Sequence, residues 1–241
     1  MRTAVVTGGG RGIGATIAEQ FAQDAFHVAI LDIDDAASGT ADAIKKDGGS
    51  ASFHRCDLTD PAQVQSVVEQ CTAAGDEPQV VVNNAGWSVH KRFLDSEPAA
   101  WDRIIAVNFT AVLNVCHAFL PAMPDGSAIV NIASDAARIG VPGQAVYAGA
   151  KAAVIGFSKS LAVEVARNGI RVNVVSPGST KTALLASVLA EEDIAKRVRG
   201  IPLRRLAEPE EVARVVHFLA TSAAYVTGEV ISVNGGAARV S

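Results

Sequence analysis

Residues 4–14 read Ala4-Val5-Val6-Thr7-Gly8-Gly9-Gly10-Arg11-Gly12-Ile13-Gly14, and this stretch decides how the chain around it folds. Ala4, Val5 and Val6 make a short, β-prone apolar run that enters a glycine turn directly. Beyond the turn, Ala15, Ile17, Ala18, Phe21 and Ala22 recur with a period near that of an amphipathic helix. Strand, glycine turn and helix open a strand–helix–strand unit. Its glycines let the backbone approach an anion held at the positive end of the helix. The spacing is Gly8-x-x-x-Gly12-x-Gly14. With Arg11 and Ile13 between, the turn is a candidate cradle for a dinucleotide pyrophosphate.

A second apolar run, Val28-Ala29-Ile30-Leu31, ends in Asp32, eighteen residues after Gly14. A carboxylate there can accept from both hydroxyls of an adenosine ribose, and it repels a 2′-phosphate. Read plainly, it is a strand-end carboxylate in a turn. Ile33, Asp34 and Asp35 follow it, with no arginine or lysine. NAD(H) is therefore favoured over NADP(H), and Arg11 is the one nearby cation that could support a phosphate.

Apolar runs alternate with helical patterns along the whole chain, with strands expected near 3–7, 27–31, 51–56, 79–83, 127–133, 170–175 and 230–233. That alternation predicts an α/β fold, a doubly wound parallel sheet of about seven strands with helices on both faces. No linker, repeat or low-complexity segment divides residues 1–241, so a single domain is expected. The composition is 49% hydrophobic and 19% charged, which supports a large core and argues against disorder. A net charge of −4 carries no basic footprint for nucleic acid or an anionic membrane. No uninterrupted run of about 18 apolar residues occurs, and the first strand leaves no room for a leader, so a soluble cytoplasmic protein is expected. Cys56, Cys71 and Cys116 lack metal-ligand spacing and read as reduced structural thiols, and the five histidines show no pairing, so no metal is expected.

Tyr147 and Lys151 lie four residues apart in VYAGAK, one helical turn on the same face, with Ser134 thirteen residues upstream. An ammonium beside a phenol favours the phenolate, so Lys151 is expected to lower the Tyr147 pKa from its ordinary ~10 and make it a general acid/base. Alone, the pair is a common feature of solvated helices. Its company changes the reading.

In order along the chain stand TGGGRGIG, Asp32, CDL with Asp57 and Leu58, NNAG from Asn83 to Gly86, Asn108 in VNFTA, Ser134 in NIAS, YAGAK, and SPG at 176–178 followed by Thr182. With these the chain resembles the short-chain dehydrogenase/reductase family along essentially its whole length. The resemblance implies a Rossmann-type fold, a nicotinamide cofactor, and hydride transfer between a secondary alcohol and a ketone. It implies that Asp57, with Leu58, meets the adenine. Asn83, Ala85 and Gly86 form the turn at the adenine ribose, Asn83 either touching cofactor or acting structurally. Pro177, Gly178, Thr180 and Thr182 would cradle the carboxamide and phosphates. Ser134 would donate to the substrate oxygen, Tyr147 would exchange its proton, Lys151 would hold the nicotinamide ribose, and Asn108 would support a water leading to solvent. Family members are commonly homotetramers, and the helix carrying Tyr147 is apolar on more than one face (Ala152, Val154, Ile155, Phe157, Leu161 and Val165). Two departures from the family's habits are Ser179-Thr180, where bulkier residues are frequent, and Asn234 in ISVNGG, where aspartate is often found.

Substrate contacts are expected beyond the carboxyl ends of the strands, from Trp87, Ser134, Asp135, Gln144, Tyr147, Ser179, Leu184 and Leu185. Trp87 is either an apolar wall or a core or subunit contact, and His90 and Lys91 read as surface residues. The segment 182–199 predicts one short amphipathic lid helix with Leu184, Leu185, Val188, Leu189 and Ile194 inward. Lys196, Arg197, Arg199, Arg204 and Arg205 beside it read as a solvated helix end or as a contact for an anionic tail such as coenzyme A. NNAGW, NIASDAARIG, GQAVYAGAK and PGSTKTALL resemble alicyclic β-hydroxyacyl-CoA dehydrogenases of the 2-hydroxycyclohexane-1-carbonyl-CoA type. The 3-oxoacyl-carrier-protein reductases share much of that pattern, but Asp32 opposes their NADPH-linked role. A non-catalytic NAD-binding sensor is the reading from another class, and it has no need of Asn108, Ser134, Tyr147 and Lys151 together.

Overall fold

The computed structural model describes residues 1–188 and 190–239. Seven strands run parallel: β1 (Arg2–Thr7), β2 (His27–Asp32), β3 (Ser50–Arg55), β4 (Glu77–Asn83), β5 (Ala128–Ile132), β6 (Arg171–Pro177) and β7 (Val230–Val233). Their order across the sheet is β3-β2-β1-β4-β5-β6-β7. The chain winds outward from β1 to β3, then returns to the other side of β1 as β4. Such a reversal leaves a crevice beyond the carboxyl ends of β1 and β4.

Period-two alternation builds two cores on the two faces of the sheet. Ala4, Val6, Val28, Ile30, Val80 and Val82 face one way, onto Ile17 and Phe21 of α1 (Gly12–Gln23), Ala41 and Ile44 of α2 (Ser38–Lys46), and Val212, Val216 and Leu219 of α10 (Pro209–Thr221). Val5, Ala29, Leu31, Val81 and Ile129 face the other way. They meet Val64 and Val67 of α3 (Pro61–Ala73), Val115 and Phe119 of α5 (Ala111–Phe119), and Val154 and Leu161 of α7 (Ala145–Val165). All three cysteines are free and buried. The architecture is the doubly wound Rossmann-type sheet expected from the alternation of runs.

The helical segment Pro98–Ala122 comprises α4 (Pro98–Ile105), a wide π-turn over Ala106–Thr110, and α5. By length and composition it is apolar enough to cross a membrane, with a mean hydropathy of 1.7, although Asp102 and Arg103 interrupt the run. Its apolar side, including Ile104, Ala111, Val112, Val115 and Phe119, is buried in the core of the domain.

The single lid helix expected over 182–199 is instead two, α8 (Ala183–Val188) and α9 (Glu191–Gly200). Ala190 is extended, and Glu191, Glu192 and Asp193 fill the first turn of α9, where the helix dipole favours negative charge and a new N-terminus. Leu189, expected on the apolar side, lies outside the described residues. A four-residue helix, α6 (Ala136–Ile139), follows Ser134.

Candidate active site

A cleft of about 1200 Å³ opens at the carboxyl edge of the sheet. The glycine turn forms one end of it. Gly8 adopts φ +63°, and a Cβ on Gly14 would lie 2.0 Å from the Gly8 carbonyl oxygen and 2.5 Å from Asn84 Nδ2. No other residue fits at position 14, so the turn closes only on glycine. Asn84 fastens the turn to the end of β4: its Nδ2 donates to the carbonyls of Thr7 at 3.0 Å and Gly8 at 3.1 Å, and its N–H donates to Thr7 Oγ1 at 3.0 Å. Sequence reasoning chose Asn83 of the Asn-Asn pair. The structure turns that side chain away from the cleft, where Asn83 Nδ2 donates to Asn131 Oδ1 at 2.8 Å and contacts Cys116 Sγ. Asn83 therefore ties β4 to β5, a structural contact. Asn83 is the last residue of β4 and is buried.

Asp32 lies half-buried at the end of β2, its Oδ2 accepting from the Gly10 N–H at 3.2 Å and its Oδ1 from the Asp34 N–H at 3.1 Å. Arg11, Gly12, Ile13, Asp57 and Leu58 line the same end of the cleft. Asp57 Oδ1 accepts from the N–H and hydroxyl of Thr59 at 2.9 and 2.7 Å. Arg55 is a second cation near Asp32, its neighbour in register, which sequence reasoning missed. It pairs with Asp35 at 3.4 Å and is not among the cleft residues.

The other end holds the chemistry-bearing side chains. Ser134 leaves the carboxyl end of β5, and Tyr147 and Lys151 occupy the first two turns of α7. Ser134 accepts from the Ala136 N–H at 3.2 Å and is hydrogen-bonded to Tyr147. Lys151 is buried and its Nζ donates to the Ile132 carbonyl at 2.8 Å, so the side chain folds back under the strand end. Burial pushes its pKa down to about 8. The Tyr147 pKa is raised rather than lowered: burial dominates, and the hydrogen bond from Ser134 is what pulls it back. The depression expected from Lys151 is overturned: desolvation raises the phenol, and Ser134 rather than Lys151 is the group that opposes it.

Asn108 stands behind this group, fully buried in the π-turn, a distortion frequent at functional positions. Its Nδ2 donates to the Ile104 carbonyl at 2.9 Å and the Trp87 carbonyl at 2.6 Å, so the amide orientation is determined by two acceptors. Among the described residues Asn108 Oδ1 has no hydrogen-bond partner, which in a buried amide points to an acceptor role.

Trp87 forms a wall with the Arg103 guanidinium 4.2 Å above its ring. Ala85, Gly86, Asp135, Gln144, Pro177, Gly178, Ser179, Thr180, Leu184 and Leu185 all reach the cleft. Thr182 also lines it and lies against Gly12, where a Cβ would come within 3.4 Å of Thr182 Cγ2. The 177–182 segment thus crosses over the glycine turn. His90 is exposed yet lines the cleft, its ring packed on Gly143; Lys91 is exposed and outside it. Ile139, Val141 and Pro142 add a wall to the cleft, and Lys196 and Arg197 of the basic group beside the lid line it together with Arg103, the one of these that sequence reasoning missed. Arg103 reaches the cleft from α4, and Lys196 and Arg197 from α9, so their arrival depends on how those helices pack over the sheet edge.

A nicotinamide dinucleotide fits these residues. The glycine turn offers its backbone at a helix N-terminus, Asp32 stands at the adjacent strand end, and the orphan oxygen of Asn108 lies beside the buried Lys151.

Residues 8–238 match the family model described as enoyl-(acyl carrier protein) reductase. The chain is 40% identical to an uncharacterized short-chain type dehydrogenase/reductase of Sinorhizobium fredii, over 98% of this chain and 96% of that one. It is 38% identical to the 3-oxoacyl-[acyl-carrier-protein] reductase of Escherichia coli, again over 98% and 96%. A crystal structure of a dehydrogenase/reductase from Sinorhizobium meliloti superposes with a TM-score of 0.93 at 30% identity, covering 99% of this chain and 95% of that one. In fold, in motif order and across nearly its full length, the chain belongs to the short-chain dehydrogenase/reductase family of oxidoreductases.

Proposed function

We propose that this protein is an NAD(H)-dependent dehydrogenase/ketoreductase that interconverts a secondary alcohol and a ketone on an acyl thioester. One observation carries the reading: Tyr147, hydrogen-bonded to Ser134 and one turn from Lys151, opens into the same cleft as the glycine turn and Asp32. Bound NAD(H) supplies the hydride acceptor or donor at its nicotinamide C4. Gly8, Arg11, Gly12, Ile13 and Gly14 hold its pyrophosphate, Asp32 the adenosine ribose, Asp57 and Leu58 the adenine, and Thr180 and Thr182 the nicotinamide end. Ser134 donates to the substrate oxygen and stabilises the charge that grows there. Tyr147 passes the proton to that oxygen or takes it away. Lys151 orders the nicotinamide ribose, and Asn108 Oδ1 accepts from a water that links Lys151 to solvent.

For the substrate, the similarity to 3-oxoacyl-[acyl-carrier-protein] reductases supports a β-hydroxyacyl or 3-oxoacyl thioester. Arg103 and Arg197 at the rim supply positive charge for a phosphate-bearing carrier such as coenzyme A, while Lys196 beside them is paired with Asp193 at 2.9 Å. Trp87, Leu184 and Leu185 give an apolar wall suited to an alicyclic acyl group. Asp32 favours NAD(H) over NADP(H), against the carrier-protein reductase reading. We assign a cytoplasmic homotetramer, in which the outer face of α7, where Val163 is 79% exposed, is covered by its mate. The test is the initial rate of cofactor reduction, with NAD⁺ and NADP⁺ in parallel, on alicyclic and linear β-hydroxyacyl-CoA thioesters beside their free acids and simple cyclic alcohols. Preference for thioesters with NAD⁺ is expected. Equal rates on plain alcohols would discard the thioester, and preference for NADP⁺ would return the carrier-protein reductase.

A further inference from the structure

Asp135 follows Ser134 directly and is a buried carboxylate, 6% exposed. Its oxygens accept from two side chains that arrive from distant parts of the chain. Ser176 Oγ donates to Oδ1 at 3.1 Å, and Asn234 Nδ2 donates to Oδ2 at 2.6 Å. The Asp135 N–H donates to the Pro177 carbonyl at 3.0 Å. Burial pushes the carboxyl pKa up, while the two donors and the charge of Arg138 pull it back. Asn234 is equally committed: its Oδ1 accepts from the Gly236 N–H at 2.9 Å and its Nδ2 also donates to the Ala238 carbonyl at 2.9 Å. Gly178 packs against it so closely that a Cβ there would lie 2.8 Å from Asn234 Cβ.

Three segments meet at this carboxylate: the loop carrying Ser134, the end of β6 that leads into residues 177–182, and the turn after β7. We infer that Asp135, through Ser176 and Asn234, is a positioning residue that holds Ser134 and the 177–182 segment in register across the cleft, and that the pair requires one carboxylate and one amide. The inference rests on the proposed place of Ser134 at the reacting oxygen. It also accounts for the departure at 234. An aspartate there would set two carboxylates 2.6 Å apart in a buried site, where only one can ionise unless the loops separate.

The experiment compares Asn234→Asp, Asp135→Asn, the reciprocal double swap and the wild type. It follows the variant-to-wild-type ratio of kcat between about pH 6 and 9, NADH affinity by fluorescence, and the unfolding temperature of the cofactor-free proteins. In Asn234→Asp the kcat ratio is expected to be down about tenfold or more at the alkaline end and to recover as pH falls, because one shared proton restores the bridge. NADH affinity should weaken over the same pH range, because the displaced 177–182 segment carries Thr180 and Thr182, assigned to the nicotinamide end. Asp135→Asn should lower kcat with no such pH trend, and the double swap should abolish the trend and recover part of the loss, since a carboxylate at 234 cannot donate to the Ala238 carbonyl. A ratio for Asn234→Asp that does not change with pH, or a folded double swap no better than the single variants, would overturn the inference. Should Asn234→Asp fail to fold, recovery of folded protein on adding Asp135→Asn supports the inference, and no recovery overturns it. Absence of turnover in the wild type would sink the role of Ser134 and the positioning claim with it. The pairing itself would still be judged, since the unfolding temperature of Asn234→Asp relative to wild type must rise as pH falls.

Discussion

Asn108 Oδ1 and Lys151 Nζ face one point, the Cα of Gly86: a methyl group built there would lie 3.0 Å from the first and 3.6 Å from the second. The buried amide oxygen and the buried ammonium therefore both border the space that this glycine leaves. A Gly86→Ala substitution fills that space. Gly86 has no left-handed backbone to strain, so folding should change by no more than about 1 kcal/mol. Turnover should fall roughly tenfold to a hundredfold through displacement of the two groups. Unfolding temperature and kcat measured on the same preparation check this, and unchanged kcat would remove the Asn108–Lys151 junction from the mechanism.

Tyr147 has a raised pKa and is protonated at neutral pH, with Ser134 the group that draws the value down. Alcohol oxidation needs the phenol deprotonated, so its rate should climb with pH into the alkaline range, whereas ketone reduction should be favoured at lower pH. In Ser134→Ala the rising limb should move to higher pH, since the stabilising hydrogen bond is lost. A limb that stays in place would identify another titrating group. Tyr147→Phe should lose about 10²–10⁴ in kcat and still quench with NADH as the wild type does.

Asp32 spends its carboxylate on the N–H groups of Gly10 and Asp34, so it organises the glycine turn as well as facing the cleft. Asp32→Ala should therefore raise KM for NAD⁺ and erode the discrimination against NADP⁺ by about tenfold or more. Asp32→Asn should spare much of the turn while removing the repulsion. The ratio of kcat/KM for the two cofactors is the readout, and an unchanged ratio in both variants would refute the selectivity assigned to Asp32.

Lys151 is 2% exposed, and its pKa falls from 10.5 to about 8 on folding. Between those two values the unfolded chain binds more protons than the folded one, so this residue makes stability rise with pH across that window. Below about pH 8 the cost of the buried ammonium is fully present. Lys151→Met removes that cost along with the bond to the Ile132 carbonyl, and it should abolish turnover. The unfolding temperature of the variant minus that of the wild type should decline as pH rises from 8 towards 10.5. A flat or growing difference would show that Lys151 does not carry the shift.

The local part of this protein is written in its sequence. The unbroken apolar runs Ala4–Val6 and Val28–Leu31, the glycines at 8, 12 and 14, and the spacing of Tyr147 and Lys151 are each short-range facts, and each predicted its element. Strand identity, the doubly wound sheet and the members of the cleft follow from them, because side-chain direction in strands and helices is set by backbone periodicity. Three things were decided only when the chain closed on itself. Desolvation governs the titration of Tyr147 and Lys151, and it depends on what covers them rather than on what neighbours them in sequence. Pairing with β5 turns Asn83 inward and leaves Asn84, to which the sequence reading gave no role, at the glycine turn. Asp135 found its partners 41 and 99 residues away. Contacts at such separations are made by packing between segments, and nothing in the local pattern of residues encodes which of them will meet.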